Sequence, residues 1–230
     1  IKYKPNYFKL GVLTTWNSKC GIASYSKNMF SNINEELVIF SPYEEKEANV
    51  SSNKVISTWY LDNKNQKFDN LKKLIIDEDI TTLFIQFNYG LFRFNNLSNL
   101  IDYLEEKNIN VVILLHSTID PKNDINKRLS NLKNSLLKCN RVFVHTIDDL
   151  NRLKDLGIIH NSNLLSHGIT DLVPKNSLRK SVINKLKFGR ERKIASYGFC
   201  LPNKGFKELI HAMSLLKESG IEISLTIFSA

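Results

Sequence analysis

Two hydrophobic rhythms alternate along this chain, and no other feature limits its fold so strongly. Apolar runs too brief for helices recur at residues 10–13, 37–40, 83–87, 111–115, 142–144 and 164–165. Between them, apolar residues three and four apart mark helices over 22–33, 68–76, 97–104, 129–137 and 150–156. Several runs are apolar at every position, as strands are when both faces of their sheet are covered. Strand and helix in regular alternation predict an α/β fold, a parallel sheet with helices on both faces. Ligands bind such sheets at the carboxyl ends of the strands, so the residues just after each run are where chemistry is expected.

That rule selects few residues. The first run leads into Thr-Thr-Trp-Asn-Ser-Lys-Cys-Gly-Ile-Ala (14–23), which places Cys20 and Gly21 at a helix start, where a glycine lets backbone and ligand approach closely. Gln86 and Asn88 follow the third run, His116 the fourth, His145 the fifth and His167 the sixth. Three of the five histidines thus hold the same relative place in successive units, which points to one cleft. His116 is the candidate for hydrogen bonding to a ligand hydroxyl or for proton transfer, because imidazole titrates near neutral pH. The alternative for a strand-end histidine is a structural role, and His167, before Gly168, also suits a role in shaping its turn.

Past residue 170 the pattern changes. Basic residues accumulate with few acids over 171–192 and the periodicity weakens, the mark of a connector. A strand over 193–198, a helix over 204–216 and a strand over 221–228 then begin a second βαβ unit. The predicted domains are therefore 1–170, a connector at 171–192, and a truncated second domain at 193–230. Gly198-Phe-Cys-Leu-Pro-Asn-Lys-Gly-Phe206 joins the strand to the helix and brings Lys204 and the Gly205 amide to a helix N-terminus. Such an end offers unpaired N–H groups and positive dipole to a phosphate. A turn whose glycines serve only the backbone is the other reading.

Lys and Arg exceed Asp and Glu by 32 to 23, a net charge of +9, which favours an anionic partner: phosphates, nucleic acid or an acidic membrane face. Basic residues here lack the interleaved aromatics and recognition motifs of nucleic-acid binding, so none is expected. The helix over 129–137 sets Lys127, Arg128, Lys133 and Lys138 opposite a leucine stripe, which fits a solvated face or peripheral contact with anionic lipid. Three widely spaced cysteines argue against a disulfide framework and for a reducing compartment. No metal-type Cys or His spacing occurs. The longest aliphatic run, 111–115, is far too short to span a membrane. With no leader pattern and a start at Ile1, the chain is expected to be cytoplasmic and to be a fragment.

Taken in order, Trp16 to Tyr25, Gln86 to Gly90, His116, Val144-His145-Thr146 with Asp149 and Leu150, Ser166 to Ile169, and Gly198 to Phe206 resemble the motifs of retaining glycosyltransferases of family 4. Those enzymes pair two Rossmann-like domains in the GT-B arrangement. The resemblance implies an acceptor-side domain to about residue 170 and the start of a nucleotide-sugar domain from about 193. It implies sugar transfer with retention from a UDP- or GDP-linked donor, a co-substrate rather than a resident cofactor, to a glycan or lipid-linked hydroxyl in polysaccharide or lipopolysaccharide synthesis, with peripheral contact at the inner membrane face. By position, His116 would contact the transferred sugar, Gly21 would lie near the donor diphosphate and acceptor, and Lys204 with Gly205 would bind the diphosphate. Cys20, Gln86, Asn88, His145 and His167 would line the cleft. Phe199 stands where many members carry Arg, and the family's paired glutamates would lie beyond residue 230. A sugar-nucleotide epimerase of the same fold, or a non-catalytic anion- or nucleic-acid-binding α/β domain, are the alternatives.

Overall fold

The computed structural model describes residues 8–33, 35, 37–45, 53–62, 64–169 and 192–229. Contacts divide the chain into two units, Ile1–Thr170 and Asp171–Ala230. The connector expected at 171–192 lies, up to residue 191, outside the described residues.

In the first unit seven strands form one wholly parallel sheet: β1 Leu10–Leu13, β2 Leu37–Pro42, β3 Lys54–Trp59, β4 Thr82–Phe87, β5 Asn110–Leu115, β6 Arg141–Val144 and β7 Ser162–Leu164. Their order across the sheet is β3-β2-β1-β4-β5-β6-β7. The helices are α1 Gly21–Phe30, α2 Asp69–Asp77, α3 Phe94–Glu106, the short α4 Lys133–Lys138 and α5 Ile147–Asp155. β2 and β4 are buried along their whole length, which is why they read as unbroken apolar runs. Two clusters of buried side chains contribute the core. One holds Trp59, Phe68, Phe87 and Phe92 with the α2 and α3 leucines, and the other Trp16, Phe30, Leu37, Ile39 and Phe84. Going outward from β1 the chain runs one way to β2 and β3 and the other way to β4 and beyond. This reversal opens a crevice at the carboxyl ends of β1 and β4.

Two expectations change. β3 was not among the apolar runs, because this edge strand is covered only in part: Lys54 is exposed, Val55, Ile56 and Ser57 are half-buried, and only Thr58 and Trp59 are fully inside. The single helix expected over 129–137 is instead a 3₁₀ turn, Leu129–Leu132, running into the six-residue α4. Leu137 consequently faces outward, 43% exposed, while Leu129, Leu132 and Leu136 are buried. Two of its four basic residues are engaged. Lys127 pairs with Asp62 and donates to the Tyr89 carbonyl at 2.6 Å, and Lys138 lies 2.9 Å from both Asp102 and Glu105.

The second unit contains a parallel pair, β8 Arg192–Tyr197 and β9 Ile223–Phe228, linked by a 3₁₀ turn at Pro202–Lys204 and the helix α6 Phe206–Glu218. It is one βαβ unit. Among the described residues of the chain no helix is long and apolar enough to cross a membrane.

Candidate functional site

The loop from β1 to α1 forms one wall of the crevice. Thr14, fully buried, lies 2.8 Å from the Ser26 hydroxyl and so ties the loop to the helix it feeds. Cys20 is the N-cap of α1, its backbone extended and its Sγ accepting from Ala23 N at 3.4 Å, a position Ser, Thr, Asp or Asn usually holds. Burial pushes its thiol up, but bonds from Ser18, Thr15 and the amides of Ala23 and Ile22 outweigh this and leave it below the ordinary thiol value. Gly21 opens α1 with no atom within 4 Å of where a Cβ would stand, so the space above the helix end is clear.

His116, His145 and His167 follow β5, β6 and β7 and meet in space, as their shared place after successive strands predicts. The His116 and His145 rings are 5.0 Å apart, and His145 stacks on His167 at 3.7 Å with 21° between planes. Tyr25, one turn into α1, presents its ring edge-on to all three, at 5.0, 5.3 and 5.3 Å. Sequence reasoning did not single out Tyr25, although its place four residues beyond Gly21 puts it on the adjoining helical turn.

Counting hydrogens fixes how these groups are wired. His145 Nδ1 lies 2.9 Å from the Leu165 carbonyl, which only accepts, so Nδ1 carries the hydrogen and Nε2 of the neutral ring accepts. His116 Nδ1, 3.3 Å from His145 Nε2, must then donate, which leaves His116 Nε2 as an acceptor. That atom is 2.6 Å from the Gln86 side-chain Oε1. Two acceptors cannot bond, so the count closes only with the amide turned to aim its N–H at the ring, which gives up the 3.7 Å contact of Gln86 Nε2 with Met29 Sδ. The result is a relay of neutral donors from Gln86 through His116 and His145 to Leu165. Neutrality fits the setting: burial first, and then the nearby His145 and His167, push His116 down to about 4, and burial chiefly holds His145 below its ordinary value.

A second network fastens the loops that carry these histidines. Asp149 accepts from Thr118 and Arg152 at 2.6 Å each and from Thr146 at 2.5 Å, and Arg152 Nε donates to Thr118 at 2.6 Å. Thr146 also caps α5 by accepting from Asp149 N. Burial would raise the Asp149 carboxyl, but the bonds from Thr118, Thr146 and Arg152 prevail and lower it. Thr118 and Arg152 also face an open cleft of about 360 Å³, bordered by Asp120, Arg128 and Asp155.

Asn88 is used locally, its Oδ1 accepting from Gly90 N at 3.0 Å in the turn after β4. Lys204, exposed, ends the 3₁₀ turn of the second unit, and Gly205 is the N-cap of α6 with φ +73°, a left-handed conformation that favours glycine. No side chain caps that helix, so its first-turn amides are open to an outside acceptor. Among the described residues no group of three or more His, Cys, Asp or Glu side chains is arranged to hold a metal ion.

No family model and no curated protein matches the chain. Solved structures do resemble it. The crystal structure of Anabaena Alr3699/HepE in complex with UDP and glucose matches over 96% of this chain and 61% of its own, with a TM-score of 0.66 and 10% identity. The same protein in complex with UDP matches over 97% and 70%, with a TM-score of 0.62. An alpha-glucosyltransferase in complex with UDP and a 13-mer DNA containing an HMU base matches over 96% and 57%, with a TM-score of 0.57 and 16% identity. The chain thus spans about three-fifths of the length of the first of these proteins. At such identities the likeness shows a shared fold: this chain has the α/β architecture of proteins solved with UDP bound, among them a glucosyltransferase.

Proposed function

We propose that the protein carrying this chain is a glycosyltransferase that moves a sugar from a nucleoside-diphosphate donor to a hydroxyl acceptor. The observation that carries the reading is the neutral His116 relay, which runs along the carboxyl edge of the sheet from Gln86 on β4, a strand bordering the reversal, in a fold whose neighbours hold UDP and, in one case, glucose. In this reading His116 meets the transferred sugar, and a sugar hydroxyl replaces the Gln86 amide as partner of Nε2. The leaving group is already a diphosphate, so the chemistry asks mainly for positive charge and N–H donors aimed at it as the anomeric bond breaks. Lys204 and the uncapped start of α6 supply these in the second unit, and Gly21 leaves room for the donor diphosphate and acceptor beside α1. Transfer with retention would proceed by front-face attack assisted by the departing phosphate, without a carboxylate pair. The donor is UDP- or GDP-linked and serves as co-substrate, with no resident cofactor. The acceptor is a glycan or lipid-linked hydroxyl in polysaccharide or lipopolysaccharide synthesis, in the cytoplasm at the inner membrane face.

The test incubates the intact protein with UDP- and GDP-sugars and candidate acceptors and analyses the products. A new glycosidic bond with release of nucleoside diphosphate is expected. An isomerised donor without a glycoside would identify an epimerase instead, and failure to bind any nucleotide sugar would refute both. Lys204→Ala should cost about 3 kcal/mol or less of transition-state stabilisation, a loss of up to about a hundredfold in turnover. Unchanged turnover removes Lys204 from the mechanism.

A further inference from the structure

The loop that walls the crevice already holds an anion. Both carboxylate oxygens of Glu45, in the turn after β2, lie 2.9 Å from Trp16 N, and Oε2 lies 2.7 Å from Asn17 N. Consecutive main-chain N–H groups converging on one point form an anion-binding concavity. The surroundings favour negative charge. The first turn of α1 contains no acid, and Lys27 Nζ sits 3.5 Å from Asn17 Oδ1 and 5.7 Å from the Trp16 ring centre. Among the described residues no Lys, Arg or His forms an ion pair with Glu45, so these two amides are what hold its carboxylate. Trp16 itself is 4% exposed, and its indole Nε1 has no hydrogen-bond partner among the described residues.

We propose that the Trp16 and Asn17 amides are a subsite for a phosphoryl group of the ligand, and that Glu45 is a built-in competitor for it. The exchange makes and breaks no covalent bond. A phosphoryl group takes over the two N–H bonds, and the Glu45 carboxylate swings into water. The same donors serve either anion, and a doubly charged phosphoryl group gains more from Lys27 and the α1 dipole than a carboxylate does. Glu45 therefore sets a threshold, so that weakly bound anions leave the loop closed. The opposite role, a permanent pin that gives the loop its ligand-ready shape, predicts the opposite sign on removal, which makes the two separable. The inference deepens the sugar-transfer reading but needs only a phosphoryl ligand.

The test follows the main-chain amide resonances of Trp16 and Asn17 in the intact protein during titration with inorganic pyrophosphate, with UDP and a sugar monophosphate as further arms. A competitor that fills the subsite nine-tenths of the time weakens apparent affinity about tenfold. Glu45→Ala should accordingly bring the pyrophosphate-induced shifts of both amides to about a tenfold lower concentration. Glu45→Gln, which keeps a neutral acceptor for the loop, should fall between the two and guards against a folding defect in the alanine variant. Equal midpoints in all three proteins, weaker binding in the variants, or no movement of these amides would each overturn the proposal. If those amides stay still while UDP-glucose binds elsewhere, the latch fails and the sugar-transfer reading survives. If pyrophosphate displaces Glu45 but no nucleotide sugar binds, the latch stands and that reading falls. The further arms identify the source: tighter UDP binding in the variants assigns the subsite to the donor, and tighter sugar monophosphate binding to a phosphorylated acceptor.

Discussion

His116 should make the first unit lose stability as the pH falls from neutrality. Burial, followed by the proximity of His145 and His167, moves its folded value from 6.5 to about 4. The unfolded chain therefore takes up this proton first, and stability falls between about pH 6.5 and pH 4, with the full loss reached below that. With those two values, linkage gives a loss of about 2 kcal/mol between pH 7 and pH 5, and about 3 kcal/mol at its limit. The two tryptophans, Trp16 and Trp59, are both buried in the first unit, so urea unfolding followed by their fluorescence reports on that unit. In His116→Gln most of the pH 7 to pH 5 difference should vanish. His145, also held low chiefly by burial, leaves a smaller residue. A histidine NMR titration checks the cause directly. A His116 midpoint at or above 6, or wild-type stability equal at pH 7 and pH 5, would refute both the neutral relay and the burial argument behind it.

Three further substitutions probe the frame around the site. A Cβ at Gly11 on β1 would stand 2.9 Å from the Phe40 ring, 3.1 Å from Ile80 and 3.2 Å from Leu83, so Gly11→Ala should overpack the core. The cost should be about 1–3 kcal/mol in urea unfolding, and an unchanged midpoint would mean the strand shifts freely. Asp149→Asn keeps the shape but loses charge-assisted bonds from Arg152, Thr118 and Thr146, so about 2 kcal/mol of stability at pH 7 is expected to go. Because the folded Asp149 carboxyl is lowered, its contribution is present above the ordinary carboxyl value and fades as pH drops through the folded one. The variant's deficit should therefore shrink in acid. Gly205→Ala meets no atom within 4 Å, so its cost is backbone strain alone, about 1–2 kcal/mol, read as faster amide exchange in α6.

How far the sequence could be read depended on how each element is buried. β1, β2, β4 and β5 are interior strands covered on both faces, so nearly every side chain is apolar and the run is visible without context. β3 is an edge strand that mixes lysine and serine with its apolar residues, and only the neighbouring β2 makes it a strand. The leucines over 129–137 carry helical spacing, yet the chain tightens to 3₁₀ before α4, because packing Leu129 and Leu132 inward overrides the local period. The histidines were found by a topological rule and not by local composition: each follows a strand, and parallel strands bring their carboxyl ends to one edge.

Sequence alone therefore determined what depends on period and chain order: the alternation, the parallel sheet, and which strand ends carry His116, His145 and His167. Only the tertiary structure decided which groups complete the site. Tyr25 reaches the histidines across about 90 residues or more, Thr118 meets Asp149 across 31, and Glu45 reaches Trp16 across 29. Such contacts leave no periodic trace, because a residue facing a crevice is selected by partners distant in the chain and not by its neighbours. The same holds for the protons. Imidazole is an ordinary titrating group in the sequence, and burial beside two other rings is what makes His116 neutral.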